Sequence, residues 1–272
     1  MSEWKARRFW KAAGTRPAND GWEILLDERP LRTPGKQPLI LPTKALAQAI
    51  AAEWDAQTEI IDPNAMPLTR AANSAIEKIR PQFADVAAML AEYGGTDLLC
   101  YRAEQPEELL RMQAEGWDPL IDWAATELRA PLRITHGIVP VRQPDDSLAR
   151  LRAEMDMLDS FGLMALHDLV TLPGSLVLGL AVLRGRLSAE DAHRLSRIDE
   201  TWQSSQWGRD EEAEAAAGNR LMRCDRRHGF ISFRVKVELS DWGAMLDLWD
   251  RIGKMLLVST ACPLRSRSEI AA

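Results

Sequence analysis

At Pro42-Thr43 the hydrophobic period of the chain changes, and that switch constrains the fold more than any other feature of the sequence. Before it, short apolar runs are separated by turn residues. Trp22 to Asp27 follows an Asn19-Asp20-Gly21 turn signal, and Arg8 to Ala13 precedes that signal. Asp27-Glu28-Arg29-Pro30 makes a second turn before Leu31-Arg32-Thr33. Pro34-Gly35 then leads to Leu39-Ile40-Leu41. Such a pattern builds a small antiparallel sheet. After the switch, Thr43 offers an N-cap, and Leu46, Ile50 and Trp54 recur every four residues on one helical face.

Helical patterning then dominates. It runs from Thr69 to Tyr93 with an interruption at Pro81, and again from Glu107 to Glu127 with Asp118-Pro119 as a restart or kink. Pro131 to Thr135 reads as a short strand or extended loop. Ser147 to Leu158 and Ser175 to Leu183 are helical. Ser188-Ala189-Glu190-Asp191 opens a long polar helix, with an acidic partner three residues after the capping serine, that runs past Glu214. The fold class is α+β. A small N-terminal antiparallel β domain (1–42) is followed by a larger, mostly α-helical domain (43–218). The pattern assigns no element to the C-terminal segment (219–272).

Charge and cysteine usage narrow the function. A net charge of -6 and a pI near 5.4 argue against nucleic-acid binding. Cys100, Cys224 and Cys262 are widely spaced and odd in number, which makes neither a disulfide framework nor a metal motif and fits a reducing compartment. Met1 to Trp10 lacks the apolar core of a signal peptide. The apolar run Leu169 to Leu183 is shorter than the roughly 20 residues a spanning helix needs. A cytoplasmic protein without membrane insertion is expected.

The search for catalytic chemistry returns little. Gly174-Ser175 lacks the second glycine of a nucleophile elbow. His136, His167, His193 and His228 are scattered, with no pair at helical spacing for a metal. No glycine loop follows a strand to cradle phosphate. Asp118 and Asp122, four apart, read as an N-cap and a first-turn charge rather than a catalytic pair. Glu211-Glu212-Ala213-Glu214 reads as a solvated helix face. Ten tryptophans stand against five phenylalanines and two tyrosines. That excess suits either core packing or interface anchoring, and the sequence does not divide the two. A binding protein without cofactor or metal is expected. The alternative is a small-molecule enzyme with its site between the sheet and the helices, and a structural subunit of a larger complex is a third possibility.

Several blocks together carry a resemblance: Arg8-Phe9, Leu26-Asp27 with Arg29-Pro30, Glu53-Trp54-Asp55, and Pro67-Leu68-Thr69-Arg70 with Ala71 and Asn73. Gly95-Thr96-Asp97-Leu98-Leu99-Cys100-Tyr101-Arg102 and Trp117-Asp118-Pro119-Leu120-Ile121-Asp122-Trp123-Ala124 follow. Then come Ser175 to Leu180, Gly185-Arg186-Leu187-Ser188, and Gln203 to Trp207-Gly208. In this order they resemble the ATP-twelve chaperones, which assist assembly of the F-one sector of ATP synthase. The resemblance spans roughly the first four-fifths of the chain.

It implies a β domain followed by a helical one, a non-enzymatic role and a protein client. The client is the unassembled alpha subunit, kept from aggregating until beta subunits replace the chaperone, which is monomeric when free and uses no nucleotide cycle. In that family an acidic residue just before the Gln…Trp-Gly block matters for function. Here it maps onto Asp199 or Glu200, so the client-binding residues implied are Asp199, Glu200, Gln203 and Trp207. Two departures stand out. Asp27-Glu28 replaces an expected Asp-Gly turn, and from Asn219 onward the match fades into Arg223-Cys224-Asp225-Arg226-Arg227-His228 and a tryptophan-bearing tail.

Overall fold

The computed structural model describes residues 6–208 and 211–235. Those up to Phe233 belong to one compact unit, and Arg234 and Val235, at the end of the last helix, to a second. The fold is α+β, as the change of period predicts.

Four strands form the sheet: β1 (Ala13–Ala18), β2 (Gly21–Leu26), β3 (Arg29–Pro30) and β4 (Ile40–Leu41). β1 and β2 are an antiparallel hairpin registered from Ala13↔Leu26 to Ala18↔Gly21, and β2 also pairs antiparallel with β3 and β4. The sheet begins at Ala13 rather than at Arg8. Arg8 is drawn instead to the far end of the first helix, where its guanidinium donates to the carbonyls of Asp55 (2.7 Å) and Gln57 (2.5 Å). The Asp27-Glu28 turn needs no glycine at its second position, because the left-handed residue is Asp27 (φ 55°). Its carboxylate accepts from the amides of Lys11 and Ala12, and these bonds hold its pKa below the usual range.

Helix α1 (Lys44–Asp55) starts where Thr43 Oγ1 accepts from the Leu46 amide at 3.2 Å. It lies across β1 and β2. Leu46 and Ile50 are fully buried against Ile24, Leu26 and the rest of the core. Trp54, expected on the same buried face, is only half-buried. The face runs off the sheet there, and the indole packs on Trp10 with ring centroids 5.2 Å apart.

Helix α2 (Pro67–Ser74) is capped from α1. Glu53 accepts from the amides of Leu68 (2.6 Å) and Thr69 (2.8 Å) and from the Thr69 hydroxyl, which links the Glu53 and Pro67-Leu68-Thr69 blocks. Pro81 cannot donate to the preceding turn. The backbone passes it as a π-helical turn (Ala75–Ile79) and a 3-10 turn (Arg80–Gln82) before α3 (Phe83–Glu92).

Helix α4 (Glu107–Thr126) is continuous through Pro119, so Asp118 is not an N-cap. It sits mid-helix, where its carboxylate accepts from Arg102 Nη2 at 2.8 Å. Arg102 ends β5 (Tyr101–Arg102), which pairs in parallel with β6 (Thr135–His136). Helices α5 (Asp145–Asp156), α6 (Ser160–Thr171) and α7 (Leu176–Leu183) complete the core. The apolar run Leu169 to Leu183 is therefore two buried helices, parted where Gly174 takes φ 75°.

Asp97 holds that junction. It is fully buried, and it accepts from the Leu99 amide (3.0 Å), the Ser175 hydroxyl (2.7 Å) and the Val177 amide (3.0 Å). Burial pushes its carboxyl up, and these donors pull the other way. No helix among the described residues is long and apolar enough to cross a membrane.

Candidate functional site

The single long helix expected after Ser188 is three helices: α8 (Ala189–Ser196), α9 (Ile198–Trp207) and α10 (Glu211–Val235). Its start is as the pattern predicts. Ser188 Oγ accepts from the Asp191 amide at 3.0 Å and donates to the Asp191 carboxylate at 2.9 Å. The first break coincides with a tertiary contact. The indole N–H of Trp117, buried on α4, donates to the Leu195 carbonyl at 2.8 Å. That bond engages a carbonyl the α-helical ladder would otherwise use, and Arg197 adopts φ -113°, ψ 21°. The second break is at Gly208, in the left-handed region with φ 93°.

The junction of α8 and α9 rests closely on α4. A Cβ on Gly116 would come within 2.6 Å of Ile198 Cδ1 and 3.0 Å of Leu195 Cδ2. Glycine at 116 thus sets how near the two layers lie.

The four residues singled out on α9 separate onto two faces. Asp199 turns inward. Its Oδ1 accepts from Gln113 Nε2 at 2.6 Å, and Gln113, 1% exposed, accepts in turn from the Ala103 amide at 2.8 Å. Asp199 thereby ties α9 to α4 and to the chain after β5. Glu200, Gln203 and Trp207 follow one another at helical spacing on the outer face and line a groove of about 440 Å³ between α9 and α10.

Glu200 Oε2 accepts from Arg197 Nε at 2.5 Å and lies 3.5 Å from Arg220 Nη2 on α10. Trp207 is 76% exposed, with its ring edge-to-face against Trp202 at 5.9 Å between centroids. The Trp202 indole N–H is buried without a partner among the described residues. His193, below the groove, has its pKa lowered by burial and by the charges of Arg197 and Arg220, with Glu200 opposing.

The groove thus offers an exposed aromatic beside a cluster of two arginines and one carboxylate. Such a surface suits recognition of another protein chain, through an apolar anchor and charges that fix its orientation. The i, i+3 pair of Arg197 and Glu200 is readable from spacing. Arg220 and Gln113 reach the site only through tertiary packing, and no local signal marks them.

A larger hollow of about 750 Å³ lies between the sheet and the helices, where the enzymatic alternative would put its site. Its polar lining includes Asp20, Arg80 and Asp159, and Asp159 is the N-cap of α6, accepting from the Gly162 amide at 2.7 Å. Among the described residues no group of three His, Cys, Asp or Glu side chains could hold a metal ion.

Comparison with known proteins accords with this architecture. The family described as ATP12 chaperone protein matches residues 7–125. Protein atp12, mitochondrial, from Schizosaccharomyces pombe is 30% identical over 220 residues, which span 76% of this chain and 75% of that protein. The crystal structure of Atp12 from Paracoccus denitrificans superposes with a TM-score of 0.83 at 69% identity, covering 85% of this chain and 99% of that one. A candidate chaperone from Agrobacterium tumefaciens superposes with a TM-score of 0.78 at 37% identity, covering 83% of this chain and 85% of that one. The chain belongs to the ATP12 family of chaperones.

Proposed function

We propose that this ATP12-family chaperone, which acts in ATP synthase assembly, binds the unassembled alpha subunit of the catalytic head along the outer face of α9. There it keeps the subunit from aggregating and yields it to beta subunits. An isolated alpha subunit exposes the surface that later pairs with beta, and an exposed apolar patch aggregates. A holding protein must cover that surface and still be displaced, which favours few apolar anchors flanked by charges.

The observation that carries the proposal is the exposure of Trp207. A large aromatic left open to solvent beside Glu200, Gln203 and Arg220 is the kind of residue that anchors an interface. Asp199, bonded to Gln113, would support that helix from behind.

The test uses the full chain with purified alpha subunit, measuring capture and suppression of aggregation in the absence of nucleotide. Trp207→Ala should keep the wild-type melting temperature and weaken capture by about 30-fold, the effect of losing an anchor worth about 2 kcal/mol. Capture as strong as wild type would remove α9 from the client surface. Failure of the wild-type protein itself to bind the alpha subunit would remove the client.

A further inference from the structure

Two sequence blocks not used by the α9 groove meet elsewhere on the molecule. One is Pro67-Leu68-Thr69-Arg70 with its continuation to Ser74, on α2. The other is the arginine-rich run beginning at Arg223 on α10, within the segment where the family pattern fades. Between them lies a hollow of about 280 Å³ lined by Pro67, Arg70, Ser74, Asp168, Arg223 and Arg226. We propose that Arg70, Arg223 and Arg226, with the Ser74 hydroxyl, form a pocket for a dianionic phosphoryl group, either as free phosphate or carried on a small molecule.

Charge is the first argument. Arg70 and Ser74 are one turn apart on α2, and Arg223 and Arg226 are three apart on α10, so each helix turns its pair toward the same hollow. Three guanidiniums around one hollow, although solvent-exposed, together raise the local positive potential and favour an anion there. The pocket's own acid is Asp168 of α6, nearly buried at its floor, 3.4 Å from Arg223 Nη2 and 3.0 Å from His167 Nδ1. Among the described lining residues, one carboxylate against three arginines gives 3 − 1 = +2. A phosphate monoester carries about -1.5 to -2 at neutral pH, which matches that excess.

Donor geometry is the second argument. Guanidinium forks pair with tetrahedral oxyanions through two parallel N–H bonds, and a hydroxyl adds a further donor. Among the described residues neither Arg70 nor Arg226 forms an ion pair; Arg226 Nη2 makes only a weak contact with the Met222 sulfur at 3.1 Å, which a phosphoryl oxygen would displace. Glu53, which reaches the start of α2, is committed to the amides of Leu68 and Thr69 and to the Thr69 hydroxyl. A hollow of this size takes a phosphoryl group and a small remainder. This pocket shares no lining residue with the α9 groove.

The experiment is calorimetric titration of the full-length protein with inorganic phosphate and, separately, with adenosine monophosphate, at constant low ionic strength because screening weakens the attraction. Saturable binding of one equivalent is expected. Arg70→Gln should weaken it by about 10- to 100-fold, the range for a lost charge-assisted hydrogen bond. Arg70→Gln with Arg226→Gln should abolish it, and Arg111→Gln, at an exposed arginine on α4, should leave it unchanged. Arg70→Lys, which keeps the charge and loses the fork, should fall between. Equal affinity for both ligands assigns the pocket to the free ion, and tighter monophosphate binding assigns it to a carried group. No saturable binding by the wild-type protein overturns the proposal. So does undiminished binding by the double variant, or binding of a polyglutamate peptide where phosphate does not bind.

Discussion

The Gln113 side-chain amide of α4 donates to Asp199 Oδ1 of α9 across 2.6 Å, while the next residue, Glu200, turns to the groove beside α10. Two adjacent acids on one short helix thus do different work. Asp199 satisfies a buried amide and holds α9 in place. Glu200 organises Arg197 and Arg220 at the surface.

This division predicts unequal stability effects. Asp199→Ala leaves the Gln113 amide buried and without its acceptor, and should destabilise the protein by about 1–3 kcal/mol. Glu200→Gln removes an exposed charge and should shift stability by less than about 0.5 kcal/mol. Denaturant unfolding of the two variants side by side checks both. Equal midpoints would show that the Gln113 bond contributes nothing.

Thiol reactivity gives a second prediction. Burial pushes the Cys100 thiol up to about 12 and the Cys224 thiol up to about 11, with the Asp97 and Asp168 carboxylates adding to the respective shifts. At pH 8 the thiolate fractions fall to roughly one in ten thousand and one in a thousand, and the thiolate is the reactive form. In a Cys262→Ser background the folded protein should therefore react with a thiol reagent only on unfolding. Rapid labelling of either cysteine in the folded protein would contradict their burial.

His193 supplies a pH dependence. Its folded pKa lies below the ordinary value because burial, then Arg197 and Arg220, disfavour the charged ring. The unfolded chain therefore binds the proton more readily, and stability is lost as pH falls through the unfolded value of about 6.5. His193→Gln should make the stability curve flatter between pH 7 and pH 5, measured by thermal unfolding across that range. A steeper curve would reverse the sign of the argument.

The sequence by itself determined the α+β order of elements, and it did so through local physics. The change of period at Pro42-Thr43 separates strands from helices because alternating and four-residue spacings bury different faces. Thr43, Ser175 and Ser188 each cap the helix that their position announces, since capping is a bond between near neighbours. Glu200, Gln203 and Trp207 were implied by the family resemblance, and α9 brings them to one groove. Long-range contacts settled the rest. Asp118 lies within α4 rather than capping a helix, and its partner there, Arg102, comes from another element. The break in the polar helix after Ser188 falls where Trp117, far away in sequence, donates to the Leu195 carbonyl. The separation of Asp199 from Glu200 required Gln113 on one side and Arg220 on the other. A side chain's local spacing fixes which neighbours it shares a face with, but the partner that satisfies a buried polar group is chosen by tertiary packing.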